Sequence, residues 1–427
     1  MVRLNKPPIP YWGVLGSYAV FGTVNEFTAR VPAALAAIAS ILLVAALGRS
    51  LYGPRAGLLA GAILATTQLF VAAGRRAESD VPMTLFVILA IYGFERGYRG
   101  GSARWKPVFF VAMGLGFMSK GVPGVVVPLL AALIFLLWEG RAREAVRFPF
   151  LAGLLLTALI IAPWYALILQ KFPDAMEVFR FETLRRLGEE APHAKGFHYY
   201  FYRVPLHSLP WFLLAPVVWK AIRGDGAARA ASRLPLAWLL GGVGFLTLLE
   251  TKQPHYLIPL LPAIAVLFGG GLDRALASAR WPWLTGKNLA LLASAIAVTI
   301  FAYVSLVEPR LGNDASPRRS CSGVRTRVGE APLILYKFGD SACTFYLRRT
   351  APLAMSEKQL GEMLRGTPDA YVLLRGRDAG APALADHPVL WESRYFKRHL
   401  ILLGPAKKIA IEPPSSAPEG GATGVFD

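Results

Sequence analysis

The chain has 427 residues, of which 54% are hydrophobic and only 17% charged, against roughly 25% charged in an average soluble protein. Lys and Arg number 46 and Asp and Glu 27, a formal net charge of +19, but so low a charge density argues against a nucleic-acid binder and excludes a soluble globular enzyme. Cys321 and Cys343 are the two cysteines, too few for a disulfide-rich scaffold or a four-cysteine metal site.

Met1–Trp12 lacks the basic start and apolar run of a cleavable signal peptide. Ten apolar blocks then follow, at 30–48, 55–72, 79–95, 107–118, 121–138, 148–169, 204–219, 234–249, 255–271 and 288–306. Most approach the roughly 20 residues that cross a hydrocarbon core. The block at 107–118 is short enough for a tilted or partial helix. The pattern predicts a polytopic α-helical membrane protein with about ten spans.

Alternate connectors are rich in Lys and Arg. They hold Arg49 and Arg55, then Arg96, Arg99, Arg104 and Lys106, then Arg141, Arg143 and Arg147. Lys220, Arg223, Arg229 and Arg233 come next, followed by Arg274, Arg280 and Lys287. The positive-inside rule places these in the cytoplasm and both chain ends outside. Met1–Gly22, amphipathic and rich in Pro and aromatics, then lies outside with no span before it. The expectation is that the true N-terminus is missing; the alternative is a genuine start carried across by the first span.

After 1–306 the patterns shorten, and 307–412 reads as a small α/β domain on the extracytoplasmic side. Strands are expected at Pro332–Phe338, Cys343–Arg348, Ala370–Leu374 and His399–Leu403, and a helix at Ser356–Arg365 with Ser356 as its N-cap. The tail, 413–427, is rich in Pro, Gly and Ser and is expected to be disordered. In an oxidising compartment Cys321 and Cys343 either pair or remain two free thiols.

Polar residues at span ends on one side carry the functional information. The outer set is Lys6, Glu26, Arg30, Arg75, Arg76, Glu78, Asp80 and Lys120, then Glu182, Arg185, Arg186, His193, Lys195 and His198, then Glu250, Lys252, His255 and Tyr256. Outer connectors should be poor in Lys and Arg, so these cations need a second explanation. An anionic, phosphate-bearing ligand supplies one; snorkelling anchors and structural ion pairs are the other. Asp80 opens an apolar helix and serves either as a helix-terminal acid or as a catalytic one. Tyr199, Tyr200, Tyr202 and Trp211 read as an interfacial aromatic belt. No Walker loop, dinucleotide fingerprint or nucleophile elbow is present, and His193 and His198 lack the partners of a metal site.

Several segments together resemble a known family. Lys6-Pro7-Pro8 with Tyr11-Trp12, and Asn25-Glu26-Phe27 to Arg30-Val31-Pro32, resemble the end of the first large outer loop of bacterial aminoarabinose transferases. Those are relatives of the protein O-mannosyltransferases among the C-type membrane glycosyltransferases. Glu78–Met83, Phe117–Gly121, Ala162–Tyr165 and Lys252–Pro259 resemble later family segments in the same order, over roughly 4–310.

The resemblance implies sugar transfer from a polyprenyl-phosphate donor, of the undecaprenyl-phosphate type, to a lipid or protein acceptor at the outer face of the bacterial inner membrane. It assigns Lys6 to the donor phosphate, and Arg186 falls near a family arginine of the long connector. Arg76, Lys120 and Lys252 join them around phosphate or acceptor charge, with His255 and Tyr256 at the sugar. Glu78 and Asp80 are the remaining carboxylates, expected to orient rather than to act as general base. The family's acidic catalytic motif would lie upstream of Met1, so the chain as it stands is expected to lack its base. A divalent metal belongs to the family pattern, but Asn5 and Thr183 replace the expected ligands, so no metal residues are assigned. A transporter or flippase for an anionic lipid-linked ligand, or a non-catalytic lipid-binding remnant, are the other readings. Sorted by expected side, the cytoplasmic connectors carry a net +11, the outer segments before residue 307 a net +4 and the remainder +4.

Overall fold

The computed structural model describes residues 7–172, 176, 195–278, 280–312, 316–339, 341–395 and 398–406. The chain divides into two compact units, one from Arg3 to Phe301 and one from Ala302 onward.

The first unit is helical. α1 (Ile9–Phe21) stops at Gly22, whose left-handed backbone (φ 66°) closes the helix. α2 (Glu26–Tyr52) starts from a reciprocal cap, in which Asn25 Oδ1 accepts from Thr28 N at 2.9 Å and Thr28 Oγ1 accepts from Asn25 N at 3.1 Å. α3 (Pro54–Ala65) and α4 (Gln68–Gly74) form a pair bent by 68°. At the bend Thr66 and Thr67 donate their hydroxyls back to Ala62 O and Ile63 O, each at 2.7 Å, the side-chain competition that bends helices.

α5 (Asp80–Phe94) continues into a π-helical turn, Glu95–Arg99. α6 (Lys106–Lys120), α7 (Pro123–Trp138) and α8 (Phe148–Lys171) follow. Next come α9 (Tyr199–His207), α10 (Ala215–Arg223), α11 (Gly226–Leu248), a 3-10 segment Pro254–Leu260, α12 (Leu261–Ala277) and α13 (Gly286–Ala302).

Five helical stretches among the described residues are long and apolar enough to cross a membrane: Glu26–Tyr52, Pro149–Lys171, Gly226–Leu248, Pro254–Ala277 and Gly286–Arg310. The bent α3–α4 pair makes a sixth if it is one span. The expected ten blocks are therefore helical but not all uninterrupted spans. Gly121 (φ 87°) separates α6 from α7 after 15 and 16 residues, and Pro210 with a 3-10 turn at Trp211–Leu214 divides the 204–219 block.

Close helix approach depends on absent side chains. A Cβ on Gly57 of α3 would lie 2.4 Å from Ala45 O of α2, and one on Gly269 of α12 would lie 2.6 Å from Ala56 O. Small residues let apolar helices meet at backbone distance where dispersion is the main attraction. Polar ties complete the packing. Buried Glu95 accepts from Ser50 Oγ at 2.8 Å and Arg99 Nη1 at 3.1 Å, Arg233 reaches Glu139 at 2.8 Å, and Arg55 pairs with Asp273. Three members of the expected aromatic belt, Tyr199, Tyr200 and Trp211, are core residues instead. Tyr200 and Trp211 are fully buried, and Trp211 Nε1 donates to Thr66 Oγ1 at 2.9 Å.

In the second unit α14 (Glu308–Gly312) and α15 (Pro317–Val328) precede β1 (Leu333–Tyr336), α16 (Ser341–Leu347), β2 (Leu353–Ala354), α17 (Glu357–Gly366), β3 (Tyr371–Arg375), β4 (Val389–Tyr395) and β5 (Arg398–Leu403). The sheet order is β2-β1-β3-β5-β4, with β1 parallel to β2 and β3, and β5 antiparallel to β3 and β4. Alternation along β1 sends Leu333 and Leu335 to the face covered by α15 and α16, and Ile334 and Tyr336 to the face covered by α17.

Ser356 caps α17 as expected, accepting from Gln359 N at 3.3 Å. The strand expected at Cys343–Arg348 is instead the helix α16. Its buried residues Cys343 and Leu347 are four apart, the helical spacing, and Cys343 is bonded to Cys321 of α15 with Cα atoms 5.3 Å apart.

Gly57→Val should lower the stability of the detergent-solubilised protein by about 1–3 kcal/mol, the cost of overpacking. Gly16→Ala, where a Cβ meets nothing within 4 Å, is the control expected to be neutral. Equal thermal midpoints for the two variants would show that the α2–α3 approach does not limit stability.

Candidate functional site

α5 and α6 pack side by side, with the start of α5 against the end of α6. The first residue of α5 is Asp80 and the last of α6 is Lys120. Each suits its own helix terminus, an acid at the positive end and a base at the negative end. Lys120 Nζ donates to Asp80 Oδ1. Gly121, at φ 87°, turns the chain away at once.

Asp80 is buried and Lys120 largely so, with side-chain exposures of 5% and 12%. They line a cavity of about 40 Å³ with Met83, Pro123, Val127, Leu246, Leu249, Thr251, Tyr256 and Pro259. Lys120 Nζ also lies 5.5 Å from the centre of the Tyr256 ring, within cation–π reach.

The other wall comes from the segment between α11 and the 3-10 turn at Pro254–Leu260. Tyr200 of α9 clasps this segment. Its hydroxyl donates to Gln253 O and accepts from Gln253 N, both at 3.3 Å. Lys195 N donates to Glu250 O at 3.4 Å. Within the clasped segment Thr251 and Lys252 are buried. Thr251 Oγ1 makes no hydrogen bond among the described residues. Lys252 Nζ donates to Leu249 O, and no carboxylate among the described residues pairs with it. The His255 and Tyr256 rings meet edge to face, their centroids 4.7 Å apart.

The structure thus brings together Asp80, Lys120 and Tyr256 around one cavity, with Lys252 and His255 beside them in the chain. Arg76 and Glu78 stand apart. They are exposed, 4.0 Å from one another, and do not line the cavity. Glu26 and Arg30 pair at 3.6 Å on an exposed turn of α2, a structural use of two of the outer charges. Lys6, Asn5, Glu182, Thr183, Arg185, Arg186 and His193 lie outside the described residues. Thr251 was not singled out from the sequence, where nothing distinguishes it from other hydroxyls. Among the described residues no group of three or more His, Cys, Asp or Glu side chains could hold a metal ion.

Residues 5–166 match the family described as dolichyl-phosphate-mannose-protein mannosyltransferase. The chain is 30% identical over 313 residues to the undecaprenyl phosphate-alpha-4-amino-4-deoxy-L-arabinose arabinosyl transferase of Pseudomonas paraeruginosa, covering 71% of this chain and 56% of that protein. A transferase of the same name from Pseudomonas fluorescens is 31% identical over 318 residues, with the same coverage.

The chain is related to the aminoarabinose transferases and protein mannosyltransferases. It spans little more than half the length of the curated relatives it matches. In fold it is similar to ArnT from Cupriavidus metallidurans, solved bound to undecaprenyl phosphate, with a TM-score of 0.74 at 19% identity, over 96% of this chain and 90% of that one. The family resemblance read from the motifs therefore holds, and so does the combination of apolar helices with a small C-terminal sheet domain.

Removing one member of a buried pair leaves an uncompensated charge at a cost of about 3–5 kcal/mol. Lys120→Met and Asp80→Asn should each lower stability by that order, and the double variant should recover much of the loss. A double variant as unstable as the sum of the singles would show that the pair is not coupled.

Proposed function

We propose that this chain is an integral membrane glycosyltransferase that moves a sugar from a polyprenyl-phosphate donor to an acceptor at the outer face of the bacterial inner membrane. The observation that carries the reading is Lys252, buried beside the cavity with a neutral carbonyl as its partner. A buried amine with no counter-charge favours an anionic ligand. The names of the curated relatives and the undecaprenyl phosphate bound to ArnT supply the ligand class. A lipid acceptor fits those relatives; a protein acceptor fits the mannosyltransferase family name.

In this reading the acceptor hydroxyl attacks the anomeric carbon, the bond from that carbon to the phosphate oxygen breaks, and a carboxylate takes the hydroxyl proton. Lys252 meets the phosphate charge, with Lys6, Arg76 and Arg186 as further contributors. His255 and Tyr256 present their rings to the sugar. Lys120 acts through its pair with Asp80, holding the ends of α5 and α6 in place beside Tyr256. Asp80, committed to that pair, orients, and so does Glu78, exposed and 4.0 Å from Arg76. The bonded pair Cys321–Cys343 supports an extracytoplasmic C-terminal domain, because disulfides persist in oxidising compartments.

Two readouts test the donor site. A photoreactive undecaprenyl phosphate should label the chain in proteoliposomes, and Lys252→Met should cut labelling about tenfold, the loss of one charge-assisted contact. Labelled sugar should pass from the undecaprenyl-phosphate donor to the acceptor. Labelling that excess unlabelled polyprenyl phosphate does not compete would overturn the donor reading. Competed labelling without transfer would overturn the enzymatic half alone. For orientation, protease added outside spheroplasts should cut within the domain after residue 307, and protection until lysis would place that domain in the cytoplasm.

A further inference from the structure

The two faces of the C-terminal sheet differ in charge. One face is covered by α15 and α16, whose buried Cys321, Val324, Val328, Cys343 and Leu347 pack on Leu333, Leu335, Leu373, Leu400 and Leu402. The stretches 317–330 and 341–350, which contain these helices, hold Arg318, Arg319, Arg325, Arg327, Arg348 and Arg349 against Glu330 as their one acid. Over the opposite face, 357–369 and 376–388 hold five acids against three bases. The domain is thus polarised across its sheet.

The basic face is also built to stay outward. Along α15 the core takes Ser320, Cys321, Val324 and Val328, so the arginines occupy the rest of the helix surface, and all four are exposed. Arg327 lies 5.0 Å over the Trp391 ring and donates Nη1 to Gly323 O at 3.1 Å. The disulfide fastens α15 to α16, and Arg348 and Arg349 follow α16 directly in the chain.

A tether limits where this surface can go. The last apolar helical stretch ends at Arg310, and α15 begins at Pro317. Even fully extended, the intervening chain spans no more than about 25 Å. A basic surface so close in sequence to a helix long and apolar enough to cross a membrane stays within reach of lipid headgroups. Anionic lipids attract juxtamembrane Lys and Arg within about a Debye length.

We infer that the α15–α16 face docks on the anionic phosphate headgroups of the leaflet at which this last span ends. Docking seats the domain by its basic face and leaves the acidic α17 face toward water. It requires no contact with the cavity and is independent of the transfer reaction.

The test uses the full chain in nanodiscs of phosphatidylcholine alone or with phosphatidylglycerol, read by hydrogen exchange. Amides in 317–330 and 341–350 should exchange slower in the anionic discs by roughly fivefold, what one arginine near such a surface contributes. High salt should abolish the difference. Arg319→Glu combined with Arg325→Glu should abolish it too, while amides of β3 keep their protection and show the domain folded. Equal exchange in the two lipids, or a lipid difference that survives the double charge reversal with β3 protected, would overturn the inference.

Discussion

The ion pair between Asp80 and Lys120 ties helix order to site. An ionised group taken out of water costs several kcal/mol unless a partner meets it. Here each charge sits at the helix terminus that favours it, and side-by-side packing of α5 and α6 brings the two termini to one level. The pair in turn sets the position of Tyr256, whose ring lies under the Lys120 amine, and of the cavity that both line. A pair of this kind contributes little net stability over two apolar residues. It does make any other pairing of α5 with α6 expensive, because each charge would then be buried alone.

The same rule sorts the cations that composition alone lumps together. Arg55, Arg99 and Arg233 come from the connectors whose cations were read as an orientation signal, and the structure gives them carboxylates, namely Asp273, Glu95 and Glu139. They serve helix docking. Lys120 is likewise neutralised, by Asp80. Lys252 differs from all of these. It is as buried as Asp80, yet its described partner is a backbone carbonyl. Of the buried cations near the cavity it is the one whose electrostatics a bound anion would complete.

Legibility followed the physical range of each signal. Apolar blocks and cation asymmetry are local properties, and they placed the helices of the first unit and the start of the α/β region. Continuity of spans was harder, because Thr66, Thr67 and the turn at Pro210 break helices through backbone effects that a hydropathy pattern does not register. Cys343–Arg348 read as a strand because Thr, Phe and Tyr favour extended backbone. A bond to Cys321 and burial four residues apart made it helical, and both depend on a distant element. At the site, Asp80, Lys120, Lys252 and Tyr256 were legible as polar residues at span ends. Their sorting into a neutralised pair and an uncompensated amine was not, because it depends on which helix termini meet. Thr251 had no signal at all.

Burial acts on charge in opposite ways in the two units. In the first, low dielectric penalises every unpaired charge, so a buried cation without a carboxylate among the described residues, such as Lys252, is informative. In the second, the arginines of α15 are exposed and singly cheap, since water screens them and exposed pairs contribute little. Their information is collective: a surface with six bases and one acid has a field that no single residue has. That field acts over about a Debye length. A search for single buried charges without a carboxylate among the described residues would therefore find Lys252 and miss α15, whereas a search for charged surfaces would find α15 and miss Lys252.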